Sequence, residues 1–435
     1  MLDLLLKHLT VVTMDDNDTV LQDACIAVRA GKLVSIGTEV PDEPAARVID
    51  CRGKLAMPGL VNTHAHAAMS LMRGYADDYV LQEWLNDHVF PIEGKLTSED
   101  VYLGTQLTLA EMLASGTIAL TDMYMHLPQM AQAVADAGLY GNFSNAAMSF
   151  DPQGYCFDTD NVTRQNREVL ARFHGYDDGR LKLDASIHAE YTSFPALWQD
   201  FAGFARENGL NMHIHLSETR AEHENCVAKY GKTPAAVLAE NGVFDTRATA
   251  AHCVWVTEED MDLLREHDVT VAHNPVSNLK LASGIAPVGR MLEKGVRVAL
   301  GTDGVCSNNH QDLFEEIKLA ALLQKGVSGD PRVVPARQAL YMATRAGAFA
   351  QGREHQIGQL SPGFDASFIL LDADRPGLFP VHDPRSTLAY SARGGDVCMT
   401  VIRGKVLYEN GVFTTIDMER LRARLHPVLN RLFGA

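Results

Sequence analysis

Two histidines with strand-like spacing stand near the start of the sequence. His64 and His66 directly follow an apolar run. Residues two apart on a β-strand point to the same face, so both imidazoles can bind one metal ion. The pair alone is weak evidence for a metal site, because ordinary packing accounts for it about as well.

Further polar side chains end apolar runs later in the chain. Taken singly, His252 or His273 is more typical of a strand-end histidine that bonds a backbone carbonyl. Asp303 is harder to explain by packing, because a buried carboxylate must be paired, capped or bound to a metal. With the histidine pair, His215 and Asp303 make three histidines and one aspartate, which indicates a hydrolytic metal site with a position left for water.

The middle of the chain, from about residue 58 to residue 348, alternates apolar strands with helical stretches. The strand-like runs are residues 117–120, 181–186, 211–215, 249–252, 269–273 and 296–301. This rhythm predicts either a closed barrel of βα units or an open, doubly wound sheet. A barrel gathers its strand ends at one mouth and would bring the histidines and the aspartate together. The sequence contains neither a dinucleotide-binding nor a P-loop glycine motif.

Short strands separated by turns recur at both ends of the chain. They are predicted at residues 9–14, 24–28, 33–36, 366–371 and 397–403. The predicted domains are a composite β-sandwich domain of residues 1–57 and 356–435, and a catalytic barrel of residues 58–355. An apolar stripe predicts a C-terminal helix in the composite domain; it consists of Leu421, Leu425, Val428 and Leu432.

Composition narrows the class of protein. The chain has 435 residues, 46% of them hydrophobic, and a formal charge of −17, which fits a globular protein and disfavours nucleic-acid binding. Seven cysteines at irregular spacings do not make a disulfide framework. Neither a leader peptide nor a membrane-spanning run is apparent. We expect a cytoplasmic protein that acts on a small molecule and binds neither nucleic acid nor membrane.

Several segments resemble the amidohydrolase superfamily, in the branch of adenosine-type and cytosine-type deaminases and triazine hydrolases. The similar segments are residues 58–66, 73–78, 84–85, 90–93, 215–219, 273–281, 301–304 and 307–309. The similarity covers essentially the whole chain and is strongest to the 5-methylthioadenosine/S-adenosylhomocysteine deaminases. It implies an α/β fold, a distorted (β/α)8 TIM barrel with a small β-sandwich built from both termini.

The resemblance also implies a set of metal ligands. They are His64, His66, His215 and Asp303, which would hold one divalent metal. Zn²⁺ is favoured, and Fe²⁺ and Mn²⁺ remain open. Some superfamily members hold two metals through a carboxylated lysine, but the corresponding position here reads Ser186-Ile187-His188. A mononuclear site is therefore expected.

Catalytic and substrate-binding roles follow from the same resemblance. Glu218, His252 and Asp303 would handle protons, and Glu93 and His188 would contact the sugar of the substrate. Glu218 would also bind the substrate base, and Trp84 is a candidate for stacking on a purine, although helical packing explains Trp84 more often.

The implied reaction is hydrolytic deamination of a 5-modified adenosine to the inosine analogue and ammonia. The candidate substrates are 5-methylthioadenosine, S-adenosylhomocysteine, 5-deoxyadenosine and adenosine. Residues 142–157 contain no arginine, which weakens the case for S-adenosylhomocysteine with its amino-acid tail. The sequence leaves the oligomeric state open, and the resemblance favours a homo-oligomer.

Two alternatives stay open at this point. The same metal site could serve a deaminase of guanine, cytosine or a pterin, or a triazine chlorohydrolase. A non-catalytic scaffold is the second alternative, but a scaffold has no need to keep four ligands and three proton-handling groups.

Overall fold

The computed structural model describes residues 1–434, which form eighteen β-strands. The strands are β1 (Leu2–Val12), β2 (Val20–Arg29), β3 (Lys32–Gly37), β4 (Ala45–Asp50), β5 (Lys54–Pro58), β6 (Leu60–Ala65), β7 (Thr117–Met123), β8 (Tyr140–Ser144), β9 (Leu181–Leu183), β10 (Ala185–Ser186), β11 (Met212–Leu216), β12 (Ala248–His252), β13 (Thr270–His273), β14 (Arg297–Leu300), β15 (Phe368–Asp372), β16 (Val397–Ile402), β17 (Lys405–Glu409) and β18 (Val412–Phe413).

Helices alternate with the strands of the middle region. They are α1 (Leu81–Glu83), α2 (Phe90–Glu93), α3 (Ser98–Ser115), α4 (Leu127–Ala137), α5 (Asn161–Arg172), α6 (Tyr176–Gly179), α7 (Pro195–Asn208), α8 (Arg220–Tyr230), α9 (Pro234–Glu240), α10 (Glu258–Glu266), α11 (Pro275–Lys280), α12 (Val288–Glu293), α13 (Val305–Asn308), α14 (Leu313–Ser328), α15 (Ala336–Met342), α16 (Arg345–Ala350), α17 (Pro384–Ser386) and α18 (Met418–Phe433). Shorter helical turns cover Ala67–Met72, Trp84–Val89, Glu190–Thr192, Thr387–Ser391 and Gly394–Asp396.

The chain divides into two compact units. Unit 1 comprises Met1–Asn62, Ala110–Ala119 and Asp312–Met418, and unit 2 comprises Thr63–Leu109, Leu120–Gln311 and Glu419–Ala435. The domain boundaries given by the sequence, 1–57 with 356–435 and 58–355, stay a prediction.

Unit 1 contains a nine-stranded sheet in which both ends of the chain meet. Its strand order is β18-β17-β16-β15-β5-β1-β2-β3, and β4 also pairs with β1. Strand β15 pairs antiparallel with β5, so a strand from the C-terminal part lies beside one from the N-terminal part. The buried face is apolar; examples are Leu6, Ile26 and Phe368. The predicted β domain built from both termini is confirmed.

Strands β6 to β14 form a barrel. One sheet has the order β6-β7-β8-β9 and the other β10-β11-β12-β13-β14, so that β9 and β10, one residue apart, are two parts of the fourth barrel strand. Pairing is parallel from β8 to β9 and from β10 through β14. Parallel strands covered on both faces are apolar along their whole length, which is why the sequence shows them as apolar runs.

Backbone hydrogen bonds join the last barrel strand to the first. Thr302 and Asp303 both donate their N–H to the carbonyl oxygen of His64, at 3.1 and 3.0 Å. Ala65 and Asp303 form a parallel bridge, and the Thr63 hydroxyl donates to the Leu300 carbonyl at 2.8 Å. The first and eighth strands therefore meet at their carboxyl ends, as the predicted (β/α)8 barrel requires.

The C-terminal helix α18 buries the stripe that the sequence indicates. Leu421, Leu425, Val428 and Leu432 are its buried side chains. From Glu419 onward this helix belongs to unit 2. Among the described residues, no helix combines the length and the apolar character needed to cross a membrane.

Candidate active site

Three barrel strands bring the predicted metal ligands to one point. The ring nitrogens of the three histidines form a compact group: the ligand atoms of His64, His66 and His215 all lie within 4.8 Å of one another. Asp303, which follows β14, joins them, with its Oδ1 atom 3.2 Å from Nε2 of His66 and 3.5 Å from Nε2 of His64. Nε2 of His66 is 3.2 Å from Nε2 of His215. Ligand atoms that share a tetrahedral zinc ion lie about 3.4 Å apart, since each bond is about 2.0–2.1 Å.

For His66 and His215, the contact of the second ring nitrogen shows that the first is available to a metal. Nδ1 of His66 lies 2.6 Å from the carbonyl oxygen of Met123, and Nδ1 of His215 lies 2.8 Å from that of His188. A carbonyl oxygen only accepts hydrogen bonds, so Nδ1 carries the proton and Nε2 of the neutral ring keeps its lone pair. The residues therefore fit a bound divalent metal, both by spacing and by the direction of their lone pairs.

The carboxylate of Asp303 is held from both sides. Its Oδ2 atom accepts hydrogen bonds from the hydroxyls of Ser277 and Ser307 at 2.5 and 3.0 Å, and Oδ1 accepts from the N–H of Gly304 at 2.8 Å. Burial opposes ionisation, yet hydrogen bonds with His64 and His66 hold the pKa of this carboxyl well below its usual range. Asp303 is therefore anionic at neutral pH.

Burial and the nearby Asp303 also shift the pKa values of two of the histidines. Burial lowers the pKa of His64 to about 4. Burial also acts to lower the pKa of His66, but the hydrogen bond to Asp303 and its charge raise it to about 9. Asp303 therefore favours a proton on His66. Metal ligands must be deprotonated, so metal binding would release this proton.

Glu218 and His252 lie beside the cluster. Burial raises the pKa of the Glu218 carboxyl, so burial favours its protonated form. Its Oε1 atom accepts a hydrogen bond from Ser283 at 3.2 Å, and its Oε2 atom lies 3.9 Å from Nε2 of His252. Nδ1 of His252 is 2.8 Å from Oδ1 of Asn278, which only accepts, so Nδ1 donates to Asn278 and Nε2 faces Glu218.

Backbone strain marks the strand ends of this cluster. Ser217, His252, Cys253 and Asp303 all have positive φ angles, of 47°, 73°, 49° and 62°. Residues with a side chain rarely adopt this conformation, which costs of order 1–3 kcal/mol and is concentrated at functional sites. Two of these positions, His252 and Asp303, are residues for which the sequence suggests chemistry, and Ser217 directly precedes a third, Glu218.

A cavity of about 380 Å³ opens onto these groups. The predicted site residues on its wall are His66, Trp84, Glu93, His188, His215, Glu218, His252 and Asp303. His64 lies behind the wall and is 0% exposed. The volume falls within the usual range for small-molecule sites.

The predicted substrate-binding residues are fixed in the cavity wall. The indole N–H of Trp84 donates to the carbonyl of Ala76 at 3.2 Å. Nδ1 of His188 lies 3.0 Å from the Thr192 hydroxyl, and burial lowers the pKa of His188 to about 3. Burial raises the pKa of Glu93. His188 is therefore neutral at neutral pH.

Sequence reasoning missed part of the wall, and two residues that it suggested, His64 and His273, do not line the cavity. Tyr124, which directly follows β7, lines the cavity, and the strand-end rule could have found it. Asn161 and Gln165 of α5 also line it, and no motif pointed to them. His273 ends β13 but is buried away from the cavity, and burial lowers its pKa to about 3.

Comparison of the sequence with known proteins identifies related enzymes. The sequence pattern of the amidohydrolase family matches residues 55–407. A 5-methylthioadenosine/S-adenosylhomocysteine deaminase of Acetivibrio thermocellus is 40% identical over 437 residues, which covers 99% of this chain and 100% of that protein. A 5'-deoxyadenosine deaminase of Methanosarcina acetivorans is 43% identical over 423 residues, covering 97% of this chain and 96% of that one.

A solved structure shares the whole fold. The crystal structure of an adenosine deaminase from Xanthomonas campestris with bound zinc matches with a TM-score of 0.93 and 31% identity, over 100% of this chain and 99% of that chain. The predicted α/β barrel class is confirmed by this match. The cluster of His64, His66, His215 and Asp303, the extent of the sequence match and the shared fold together show that the chain belongs to the amidohydrolase family.

Proposed function

We propose that the protein is a metal-dependent aminohydrolase that converts a 5-modified adenosine and water into the inosine analogue and ammonia. The observation that carries this proposal is a buried Glu218 with a raised pKa on the wall of the cavity that also exposes His66, His215 and Asp303. The names of the Acetivibrio, Methanosarcina and Xanthomonas relatives support the choice of an adenosine-type substrate.

His64, His66, His215 and Asp303 would hold the metal. A bound divalent metal lowers the pKa of water from 15.7 toward about 7, so that a nucleophile is available at neutral pH. Zinc is the proposed metal, supported by three nitrogen ligands, one carboxylate and the zinc bound in the Xanthomonas relative. The fourth barrel strand is followed by His188 rather than by a lysine, which supports a single ion.

Glu218 would deliver a proton to the ring nitrogen of the base. Burial raises the pKa of the Glu218 carboxyl and so favours the protonated form that a general acid needs, and the Ser283 hydroxyl donates a hydrogen bond to one of its oxygens. Protonation of the ring nitrogen draws electrons from the adjacent carbon, which bears the amino group. That carbon then accepts the attacking water oxygen.

Asp303 and His252 would manage the protons of the water molecule. Asp303 is anionic and faces the cavity, so it can accept the proton that the water loses on attack. His252 presents a lone pair at Nε2, which can accept a hydrogen bond from the water and direct it. Transfer of the accepted proton to the amino group lets ammonia leave as the C–N bond breaks. The remaining hydroxyl proton passes to the Glu218 carboxylate, so that the ring carbon keeps a carbonyl oxygen and the acid is restored.

The substrate would be oriented by the opposite groups of the wall. Glu93 and His188 would bond the sugar hydroxyls, and their position as buried polar groups on the cavity surface supports this role. Trp84 would cover the base with its ring. The cytoplasmic location and the homo-oligomer stay predictions from the sequence.

The test is ammonia release by zinc-loaded protein. 5-Methylthioadenosine, 5'-deoxyadenosine, adenosine and S-adenosylhomocysteine are compared, with Glu218→Gln as the blank. Turnover of at least one nucleoside, lost in the variant, supports the proposal. No turnover of any of the four, together with hydrolysis of a free aminated base, an aminopterin or a halogenated triazine, would move the function to one of the alternatives.

A further inference from the structure

The turn between strand β11 and helix α8 carries two groups of the proposed reaction. His215, a proposed metal ligand, lies in β11, and Glu218, the proposed acid, follows three residues later. Between them Ser217 has a positive φ angle of 47°, which is unfavourable for a residue with a side chain. Such a conformation persists only where surrounding contacts impose it, so the contacts of this turn determine where Glu218 lies.

The carboxyl group of Glu222, in the first turn of α8, makes two of these contacts. Its Oε1 atom accepts a hydrogen bond from the N–H of Ser217, and its Oε2 atom accepts one from the N–H of Glu218, both at 2.7 Å. Glu222 is buried, with 6% exposed. Because each oxygen engages one of two consecutive peptide N–H groups, a single carboxyl group fixes the orientation of both peptide units.

The other side of the turn is bonded to the segment that follows β12. The carbonyl oxygen of Ser217 accepts a hydrogen bond from the N–H of Trp255 at 2.9 Å. This segment starts directly after His252, whose Nε2 atom lies 3.9 Å from Oε2 of Glu218. Glu222 therefore holds the turn that bears the acid against the segment next to the second proposed proton-handling group.

Capping of α8 alone does not account for the contacts of Glu222. Thr219 caps the helix, and its hydroxyl accepts a hydrogen bond from the N–H of Glu222 at 3.2 Å. A capping box requires the glutamate to reach back only to the N–H of Thr219. That N–H lies 3.4 Å from Oε2, farther than the N–H groups of Ser217 and Glu218. Glu222 thus reaches past the cap into the turn.

Helix α10 shows a capping box without this extension. Its cap is Thr257, and Asp260 stands at the position equivalent to Glu222. The Asp260 carboxyl accepts from the N–H of Thr257 at 2.9 Å, and the Thr257 hydroxyl accepts from the N–H of Asp260 at 3.1 Å. An aspartate therefore suffices for capping at this position, and the longer side chain of Glu222 serves the turn that carries Glu218.

We propose that Glu222 is a positioning residue, which acts through the backbone of Glu218 to hold the acid against the reacting base. This inference rests on the proposed function, in which Glu218 delivers a proton to the ring nitrogen. Glu222 does not line the cavity, so its effect on the reaction is indirect. Displacement of a reacting group by about 1 Å can lower a rate about a hundredfold, and loss of the two hydrogen bonds leaves this turn free to move.

Two substitutions of Glu222 test the proposal. Glu222→Asp keeps the charge and can still cap the helix as Asp260 does, but its carboxyl group is too short to reach both N–H groups of the turn. Glu222→Gln keeps the length but offers one accepting oxygen instead of two. For both variants we expect kcat for 5-methylthioadenosine to fall about tenfold to a hundredfold, with KM within a few-fold of wild type and an unchanged zinc content.

Combination with Glu218→Gln shows whether Glu222 acts through the acid. When the acid is absent its position no longer matters, so adding Glu222→Asp to Glu218→Gln should lower kcat further by less than about twofold. A general loss of folded or zinc-loaded enzyme would instead lower kcat by the same factor in both backgrounds. Thermal unfolding of each variant establishes the folded fraction at the assay temperature.

The matched control is Asp260→Asn, which removes the capping carboxylate of α10. Asp260 is 2% exposed and does not line the cavity. Its replacement weakens a buried helix cap but leaves the turn of Glu218 bonded to Glu222. We therefore expect kcat of Asp260→Asn to stay within about twofold of wild type.

Two results would overturn the inference in different ways. Wild-type kcat in both Glu222 variants, or an equal factor of loss with and without Glu218→Gln, would reject the positioning role and leave the proposed function intact. Absence of ammonia from wild-type protein with every nucleoside would reject the proposed function and the inference with it.

Discussion

Two parts of one cavity are built on different principles. The strand-end cluster, which consists of His64, His66, His215, His252 and Asp303, lies at the ends of barrel strands. Each of these side chains lies within hydrogen-bond distance of a further group; for His64 this group is the ring of His213, 3.0 Å away. The helical wall, of which Leu81, Trp84, Phe90, Met148 and Val162 are members, comes from short helices and the loops beside them. Met148 is 38% exposed, whereas His64 is 0% exposed.

The difference implies that the two parts control different properties of the enzyme: the cluster controls the reaction, and the helical wall controls the choice of substrate. A rigid cluster at the carboxyl ends of barrel strands can keep one chemistry while the elements around it change. The cluster should therefore control the rate constant of the chemical step, and the helical wall should control which substrate binds. Three variants test this division, from the largest expected effect to the smallest, and a fourth tests the burial of a carboxyl outside both parts.

Loss of a metal ligand should have the largest effect. We expect His215→Ala to reduce deamination by more than about a thousandfold, because the chemistry that a bound metal supplies is lost. The variant should also contain much less than one equivalent of zinc by elemental analysis. The control is His426→Gln, at an exposed histidine of α18, which should keep both metal and activity. Full activity of His215→Ala would show that the cluster is not the reaction centre.

Removal of the proposed acid should leave the metal in place. We expect Glu218→Gln to lower kcat about a hundredfold to a thousandfold, as general acid catalysis is worth about that much. Because burial raises the Glu218 pKa, wild-type kcat should fall as pH rises through that raised value, where the proton is lost. This alkaline limb should be absent from Glu218→Gln.

A matched glutamate on α8 serves as the control for Glu218. Glu224 pairs with Arg220 on the exposed face of that helix, so Glu224→Gln should show the wild-type pH profile. A Glu218→Gln enzyme with wild-type kcat would contradict the assignment of the acid.

A change in the helical wall should affect binding more than chemistry. We expect Trp84→Leu to raise KM for a nucleoside about tenfold with kcat within a few-fold of wild type, because stacking on the base is lost. Trp255, which is 39% exposed and does not line the cavity, provides the control Trp255→Leu. If Trp84→Leu lowers kcat strongly and leaves KM unchanged, the division between cluster and wall is wrong.

The smallest effect concerns a carboxyl that follows the fourth barrel strand. Burial raises the pKa of Glu190 from 4.5 to about 7, so the folded chain holds a proton that the unfolded chain loses within this pH window. Stability contributed by this group therefore falls as pH rises from about 4.5 to about 7 and stays low above it. We expect Glu190→Gln to be more stable than wild type by about 1 kcal/mol at pH 8 and unchanged below pH 4.5.

Thermal unfolding at both pH values measures the Glu190 effect. The control is Glu207→Gln on the exposed face of α7, which should not alter the pH dependence. Equal stability of Glu190→Gln and wild type at pH 8 would mean that the Glu190 carboxylate is not penalised by burial.

The sequence predicts the cluster better than the wall, for a physical reason. A polar side chain at the end of an apolar run stands out against its neighbours, and parallel strands force such ends together, as with His215 and Asp303. The rule has a limit, because a strand end does not say which face the side chain takes. His273 matches the rule and is nevertheless buried away from the cavity.

The helical wall gives no comparable signal in the sequence. Residues 145–160 form an irregular loop, and the start of α5 reaches the cavity only through the path of that loop. The packing partner of α18 could not be predicted from the sequence either. Its apolar stripe predicts a helix with a buried face, but the stripe does not tell which part of the chain it packs against.

The most direct measurement traces the oxygen of water into the nucleoside product and the nitrogen of the amino group into ammonia. Zinc-loaded protein is incubated with 5-methylthioadenosine in H2-18O, and ammonia and the nucleoside product are quantified by enzymatic assay and mass spectrometry. Hydrolytic deamination predicts one ammonia and one 18O atom in the base of each inosine-type product, with both formed about a hundredfold to a thousandfold more slowly by Glu218→Gln. Binding of zinc without any release of ammonia, or ammonia without 18O in the base, would contradict the proposed reaction.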